Sequence, residues 1–113
     1  MARTVNYTPG AGGLFSLQTI LASAGFKDIT GQLSFLYIFN PSATVDVSIH
    51  TTASGSTAPG TGTDGWPIGG SATAAEKTFK YVKGDGSGRG IDVNTTWLNF
   101  PSAVPVKILL DGI

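Results

Sequence analysis

The single histidine of the sequence, His50, is its best candidate for acid–base chemistry. Asp46 lies nearby in the chain and serines are abundant, so a Ser-His-Asp hydrolase arrangement has to be considered. A nucleophilic serine of that kind often sits on a sharp GxSxG turn, and the sequence lacks this motif. Zinc normally takes several histidine or cysteine ligands, and there is no cysteine. We therefore expect His50 to be solvated or interfacial, in a protein without enzymatic activity or cofactor.

The glycine-rich segment 84–90, GDGSGRG, has several interpretations. A dinucleotide-binding loop would be followed by a helix, but the next residues, IDVNTTW, have the character of a strand. A calcium loop could draw oxygens from Asp85, Ser87 and Asp92, although the late glutamate of an EF-hand is missing. We favour a flexible hairpin loop, in which glycine permits positive φ, and keep calcium as the alternative.

The basic residues are concentrated in one interval, which contains Lys77, Lys80, Lys83 and Arg89. On an edge strand, lysine discourages the addition of another strand. We favour this interpretation over the alternative, in which the cluster attracts an acidic partner. The formal net charge is zero, which argues against binding to nucleic acid or an anionic membrane. The N-terminus lacks the apolar segment of a signal peptide, so we expect a soluble chain made in the cytosol.

The aromatic residues could line a sugar-binding groove formed by Tyr7, Tyr37, Trp66, Tyr81 and Trp97. The alternation of the predicted strands, however, assigns Tyr37, Tyr81 and Trp97 to rows that face the core. Trp66 lies in a segment of small polar residues. There we favour anchoring on the core over contact with a partner, because a buried tryptophan contributes a large apolar area.

The strands that would position these residues are clearest at 32–51, where we predict a hairpin. Residues 33–39 are apolar at nearly every position, which is typical of a central strand. Residues 44–50 alternate between apolar and polar, which is typical of a strand with one wet face. The connecting residues Asn40-Pro41-Ser42 favour a turn. We predict that the first strand directs Leu33, Phe35, Tyr37 and Phe39 to one side.

The N-terminal part of the chain predicts one short helix, from Ser16 to Ala24. Ser16 is a favourable N-cap, Leu17, Ile20, Leu21 and Ala24 form an apolar face, and Gly25 can end the helix. A strand using Leu14, Ser16 and Gln18 is the competing interpretation. Residues 2–8 form either an edge strand, which we favour, or part of an extended arm over 1–13 that becomes ordered on a neighbour.

The remaining chain predicts further strands and one long loop, rich in Gly, Ser and Thr, at 51–75. Within that loop we expect a short extended piece at Gly65–Ile68. Strands are predicted at 77–83, 91–100 and 104–110. Five or six strands with a single short N-terminal helix predict an all-β domain over 1–113, an antiparallel β-sandwich or jelly-roll-like barrel.

Three segments bear on function as well as on fold: LSFLYIFNPSATVDVSIHT, GWPIGGSAT and VPVKILLDG. Their succession over residues 32–113 resembles small bacteriophage virion structural proteins. In those proteins an aliphatic strand ending in Asn-Pro-Ser or similar is followed by a second strand, a glycine-containing segment and a C-terminal strand. The resemblance implies a capsid decoration or cement protein, or a minor head or tail component, located in the virion and assembled in the host cytoplasm.

The composition suits such a role, since charged residues are only 12% of the chain and charge is depleted in interface cores. We expect a homo-oligomer that contacts a major capsid protein or another virion protein, and no nucleic acid or membrane. A carbohydrate-binding or adhesion module, with a glycan as ligand, is the alternative. The candidate partner contacts are Arg3, Tyr7, Asp64, Trp66, Lys80, Lys83 and Arg89.

Overall fold

The computed structural model of the protein describes residues 2–52, 65–70, 76–84 and 90–113. Within these ranges the chain is mostly β, as predicted, with eight strands, one α-helix and one 3₁₀ turn. In chain order the elements are β1 (Arg3–Tyr7), β2 (Gly13–Ser16), α1 (Leu17–Ser23), β3 (Leu33–Phe39), β4 (Val47–Thr51), β5 (Trp66–Ile68), β6 (Thr78–Val82), the 3₁₀ turn (Val93–Thr95), β7 (Thr96–Phe100) and β8 (Val106–Gly112).

The strands form two four-stranded antiparallel sheets. Sheet I has the order β1-β8-β3-β6, and sheet II has the order β2-β7-β4-β5. One hydrophobic cluster joins buried residues of both sheets and of the helix, among them Leu36, Ile108, Ile49, Leu98 and Ile20. Each sheet therefore has an inner face on this core and an outer face directed away from it.

The predicted helix is confirmed, and its two ends are fixed by local hydrogen bonds. The Ser16 hydroxyl accepts a hydrogen bond from a backbone N–H of the first turn at 3.1 Å. At the other end Gly25 has φ of +84°, and the N–H of Phe26 donates to the carbonyl of Leu21 at 2.9 Å. This is a Schellman ending. Of the predicted apolar face only Ala24 is exposed.

The predicted hairpin at 32–51 is wrong. β3 has the predicted bounds and is an inner strand between β8 and β6, but β4 lies in the other sheet. The connection is organised by Asn40, which is fully buried. Its amide nitrogen donates to the carbonyls of Val45 and Ile68, both at 2.8 Å, and its Oδ1 accepts from the N–H of Ser42 at 3.0 Å. These residues carry the chain from one sheet to the other.

A β-bulge at the start of β3 changes which side chains face the core. The register with β8 shifts between Leu33 and Phe35, which leaves Ser34 as the extra residue. Leu33 is therefore buried with the inner row of the strand. Phe35, Tyr37 and Phe39 lie on the outer face, where they are only partly buried or exposed. The predicted common face of these three with Leu33, and the core position of Tyr37, are both wrong.

The 3₁₀ turn likewise changes which side chains of residues 91–100 face the core, compared with the predicted alternation. Asp92 caps this turn, with its Oδ1 accepting from the N–H of Asn94 at 2.8 Å. Val93 is buried as predicted, but Trp97 is half-buried on the outer face of sheet II. The core position predicted for Trp97 is therefore wrong. The buried row of β7 consists of Thr96, Leu98 and Phe100.

Sheet I ends in two edge strands, β1 and β6. In β1, Arg3–Tyr7 pairs with β8, as the edge-strand interpretation predicted. In β6, Phe79 and Tyr81 are buried, and this orientation also matches the prediction. The strand β2 contains Leu14 and Ser16 of the competing strand interpretation, whereas Gln18 lies in the helix. A Cβ on Gly12 would lie 2.6 Å from the carbonyl oxygen of Pro101, so the glycine permits a close approach of two backbones.

Candidate interaction surface

The outer face of sheet I carries a column of aromatic side chains. Phe35, Tyr37 and Phe39 alternate along β3 and point away from the core. The rings of Phe35 and Tyr37 lie side by side, with centroids 5.5 Å apart and an interplanar angle of 40°. Phe39 is 40% exposed. β3 is an inner strand, so the strands on both sides hold its backbone in place. The large apolar side chains on its outer face therefore form one continuous surface.

Two neighbouring strands widen this column. On β8, Leu109 lies opposite Tyr37, and on β6, Val82 lies opposite Phe35. Leu109 is partly buried and Val82 is 43% exposed. We name the five residues the aromatic face, defined as Phe35, Tyr37, Phe39, Val82 and Leu109.

Charged side chains border the aromatic face. Lys80 of β6 lies opposite Tyr37, and Lys107 of β8 lies opposite Phe39. Both lysines are exposed. Asp111 of β8 lies opposite Phe35, at the other end of the column. The surface therefore combines apolar area with two cations towards one end and one carboxylate at the other.

A shallow cleft of about 190 Å³ adjoins the aromatic face at Phe39. Pro41 and Pro105 contribute apolar surface to it, and Asn6 and Lys107 contribute polar groups. The cleft is large enough for one side chain of a partner, so it extends the contact surface from β3 towards β1.

Two of the residues predicted to contact a partner make contacts with other residues of the same chain. Arg3 forms an ion pair with Asp28, with Nη2 to Oδ2 at 2.7 Å, and its guanidinium lies 5.1 Å from the ring centroid of Phe26. Tyr7 packs against Phe15 and Phe100, at centroid distances of 6.0 and 5.7 Å. These contacts join β1 to the helix–β3 connection and to sheet II.

The other predicted contact residues are divided between the two sheets. Trp66, on the edge strand β5, is 60% exposed, so the interpretation as a core anchor is wrong. Lys80 and Lys83 lie on and beside β6, and Lys83 Nζ is 3.5 Å from the side-chain oxygen of Gln32. Asp64 and Arg89 lie outside the described residues. Lys80 therefore borders the aromatic face, Lys83 lies just beyond the end of β6, and Trp66 is on the other sheet.

His50 is buried inside the protein, so the prediction of a solvated or interfacial side chain is wrong. Its Nε2 lies 2.9 Å from the hydroxyl oxygen of Ser48, which is two residues earlier on the same face of β4. The ring is only 4% exposed. A Cβ on Gly65 would collide with the imidazole, so the backbone there covers it. The Ser48–His50 pair resembles a nucleophile and its base, but burial leaves the imidazole almost no exposed surface.

Of the three residues proposed as calcium ligands, the structure describes only Asp92. The Oδ1 of Asp92 is already used to cap the 3₁₀ turn. Asp85 and Ser87 lie outside the described residues. Across 2–52, 65–70, 76–84 and 90–113, no group of three or more His, Cys, Asp or Glu side chains is arranged to hold a metal ion.

The aromatic face was missed by sequence reasoning because β3 is apolar at nearly every position. A strand that is apolar on both faces was interpreted as covered on both sides. Ser34, the only polar residue in that strand, was the available signal, since it marks the bulge that directs Phe35 outward. Comparison of the chain with models of protein families, with curated proteins and with solved structures found no match. In the described ranges, neither helical segment has the length and apolar character to span a membrane.

Proposed function

We propose that the two sheets form an eight-stranded jelly roll, a sandwich of two sheets. The support is their strand order. In a jelly roll, strands numbered along the chain divide into sheets ordered 1-8-3-6 and 2-7-4-5, which are the orders of sheet I and sheet II. The shared hydrophobic cluster also supports face-to-face packing of the sheets. Jelly rolls occur in viral capsid and lectin domains, so the fold alone leaves the function open.

We further propose that the protein is a non-enzymatic structural component of a bacteriophage virion. It is a capsid decoration or cement protein, or a minor head or tail component, assembled in the host cytoplasm. It acts by contact, as an oligomer bound to a major capsid protein or another virion protein. The sequence resemblance over residues 32–113 suggests this class.

The observation that carries the proposal is the aromatic face. Contiguous exposed apolar side chains on a soluble domain mark sites of interaction, and aromatic residues are enriched in protein interfaces. Here three aromatic side chains stand on a central strand, so their positions are fixed before binding and little conformational entropy is lost. A repeated lattice adds avidity, because many weak contacts of this kind act together.

Sedimentation with virus particles tests the proposal. Particles that lack the protein are incubated with wild type, with Phe39→Ser and with Trp66→Ser, and the bound fraction is measured in the pellet. We expect wild type to bind and Phe39→Ser to bind roughly tenfold more weakly, as expected for loss of an interface anchor. Trp66→Ser, which removes a still more exposed aromatic ring from sheet II (60% against 40% for Phe39), is the control and keeps wild-type binding.

The sedimentation results show whether the protein binds particles at all and, if it does, which sheet makes the contact. A wild-type protein that never co-sediments with particles would refute the virion role. Binding that survives Phe39→Ser but is lost in Trp66→Ser would assign the contact to sheet II instead of the aromatic face.

A second candidate function, a carbohydrate-binding or adhesion module, is favoured by the exposure of Trp66. Its ring is 60% exposed on an edge strand, and such rings can stack on sugars. Trp97→Phe leaves Trp66 as the one tryptophan, because the chain has two. Titration of its fluorescence with a broad glycan panel is then a direct test. A saturable change that disappears in Trp66→Ala supports this alternative, and no response to any glycan rejects it.

A further inference from the structure

Sheet I ends at β6, where the described part of the chain adds no further strand. An edge strand presents backbone N–H and C=O groups that can pair with another chain. Sheet II ends at β5, where the middle residue is Pro67. Proline has no N–H to donate, so β6 is a better edge for strand addition than β5.

The hydrogen bonds of β6 identify which of its residues do not bond to β3. The N–H of Lys83 donates to the carbonyl of Ser34, and the N–H of Asn40 donates to the carbonyl of Lys77, both at 2.9 Å. Both pairs fall in the same register as the β3–β6 ladder. Hydrogen-bonded pairs alternate along an antiparallel ladder, so Phe79 and Tyr81 bond to β3.

The three intervening residues of β6 are therefore directed to the open edge. Thr78, Lys80 and Val82 point their N–H and C=O groups away from β3. Their side chains lie on the outer face of sheet I, where Val82 is part of the aromatic face and Lys80 stands beside Tyr37. An added strand would bond to these residues and extend the aromatic face at the same time.

The side chains of the edge define the chemistry of its partner. A residue opposite Lys80 is best acidic, because opposite charges on directly facing residues stabilise a sheet. Residues opposite Thr78 and Val82 are best β-branched. Those opposite Phe79 and Tyr81 face the core side and are best apolar.

We propose that the open edge of β6 binds an extended segment of a partner protein as an additional antiparallel strand, with an acidic residue opposite Lys80. The inference rests on the proposed virion role for the identity of that partner as a lattice protein. Recognition of this kind takes its affinity from main-chain hydrogen bonds and its specificity from alternate side chains. The lysines near the edge, which deter non-specific strand addition, here select for a carboxylate.

A second copy of this chain fits the edge poorly. Full antiparallel overlap of two β6 strands would place Lys80 opposite Lys80 of the other copy, and directly facing like charges are destabilising. A shift of register avoids this contact but shortens the ladder of a strand that has only five residues.

Short synthetic peptides test the binding mode. The acidic probe is an acetylated and amidated peptide, STVEVTS, whose glutamate can face Lys80. The charge control is STVKVTS. The backbone control is STVEVTS with an N-methyl group on the glutamate nitrogen, which removes one main-chain hydrogen bond without changing any side chain. Binding is followed by amide chemical shifts and by amide hydrogen exchange of the protein.

The acidic peptide is expected to slow amide exchange at Thr78, Lys80 and Val82 and to leave Phe79 and Tyr81, already bonded to β3, unchanged. Both control peptides bind roughly tenfold more weakly or not at all. Lys80→Glu reverses the preference between the acidic peptide and STVKVTS. Equal binding of all three peptides, protection elsewhere on the protein, or no binding of the acidic peptide overturns the proposal.

Particle binding separates this inference from the proposed function. Lys80→Pro removes an N–H that points to the open edge and leaves the bonds of Phe79 and Tyr81 to β3 in place. Lys80→Glu, which keeps every backbone group, is the second variant. If wild type binds particles, both variants should bind roughly tenfold more weakly. Undiminished binding of Lys80→Glu would overturn strand addition at β6 while the virion role stands.

Discussion

At the scale of single residues, Asn40 has the strongest structural role among the buried polar side chains. It has no exposed surface, and its amide makes three hydrogen bonds at the crossover between the sheets. The two carbonyls that accept hydrogen bonds from the Asn40 amide belong to Ile68 in β5 and to Val45 just before β4. One side chain thus ties the end of β3 in sheet I to sheet II.

Substitution of Asn40 should destabilise the whole fold. In Asn40→Ala the carbonyls of Val45 and Ile68 lose their donor, which predicts a loss of about 2–4 kcal/mol in the free energy of unfolding. Urea denaturation followed by tryptophan fluorescence measures this loss. Asn6→Ala, on the exposed side of β1, is the control and should change stability by less than about 0.5 kcal/mol. Equal stabilities of the two variants would contradict the role assigned to Asn40.

A second residue-scale prediction concerns the cover over His50. A Cβ on Gly65 would collide with the His50 ring and would lie 2.8 Å from the Cβ of Ser48. Gly65→Ala should therefore lower the free energy of unfolding by about 1–3 kcal/mol. Gly10→Ala is the matched control, because a Cβ there meets nothing within 4 Å; it should be neutral or slightly stabilising.

The double variant Gly65→Ala with His50→Ala isolates the collision. Removal of the ring takes away its close contacts with the added methyl group and leaves the contact with the Cβ of Ser48. The two substitutions should therefore be less destabilising together than the sum of their separate effects. Strict additivity would mean that Gly65 does not cover His50.

At the scale of elements, the bulge at Ser34 decides what the central strand presents to solvent. Ile38 is fully buried and its neighbour Phe39 is 40% exposed. Ile38→Ala should therefore lower the free energy of unfolding by about 2–5 kcal/mol, and Phe39→Ala by less than about 1 kcal/mol. Thermal or urea unfolding of both variants measures the difference. A larger loss in Phe39→Ala would contradict the orientation of β3.

Local signals allowed some elements to be predicted from sequence. The helix was predictable because both of its ends are fixed by hydrogen bonds between near neighbours, at Ser16 and at Gly25. The bounds of β3 and the inward direction of Phe79 and Tyr81 followed from composition and alternation. In each of these cases the deciding interactions lie within a few residues of the chain.

Features that depend on distant parts of the chain were missed. Asn40-Pro41-Ser42 suits a hairpin as well as a crossover, and the choice depends on Ile68, 28 residues away from Asn40. The bulge at Ser34 is set by pairing with β8, at the other end of the chain. The burial of His50 depends on Gly65, and the outward direction of Trp97 depends on the preceding 3₁₀ turn. The candidate surface could therefore not be predicted from the sequence, although Lys80, which borders it, was identified.

At the scale of the whole molecule, the two sheets differ in what their outer faces offer. Sheet I has the aromatic face on its central strand, flanked by lysines and continued by the cleft at Phe39. Sheet II has the exposed Trp66 on its edge strand, and its His50 is buried beneath the backbone at Gly65. This asymmetry suggests a protein that binds in one orientation, with sheet I towards its partner.

Electron cryomicroscopy of particles prepared with and without the protein tests this central claim most directly. We predict added density that fits the eight-stranded domain, with Phe35, Tyr37 and Phe39 against the lattice and the edge of β6 next to a strand of the lattice protein. Added density with sheet II against the lattice and the aromatic face towards solvent would contradict the account, as would particles that are identical with and without the protein.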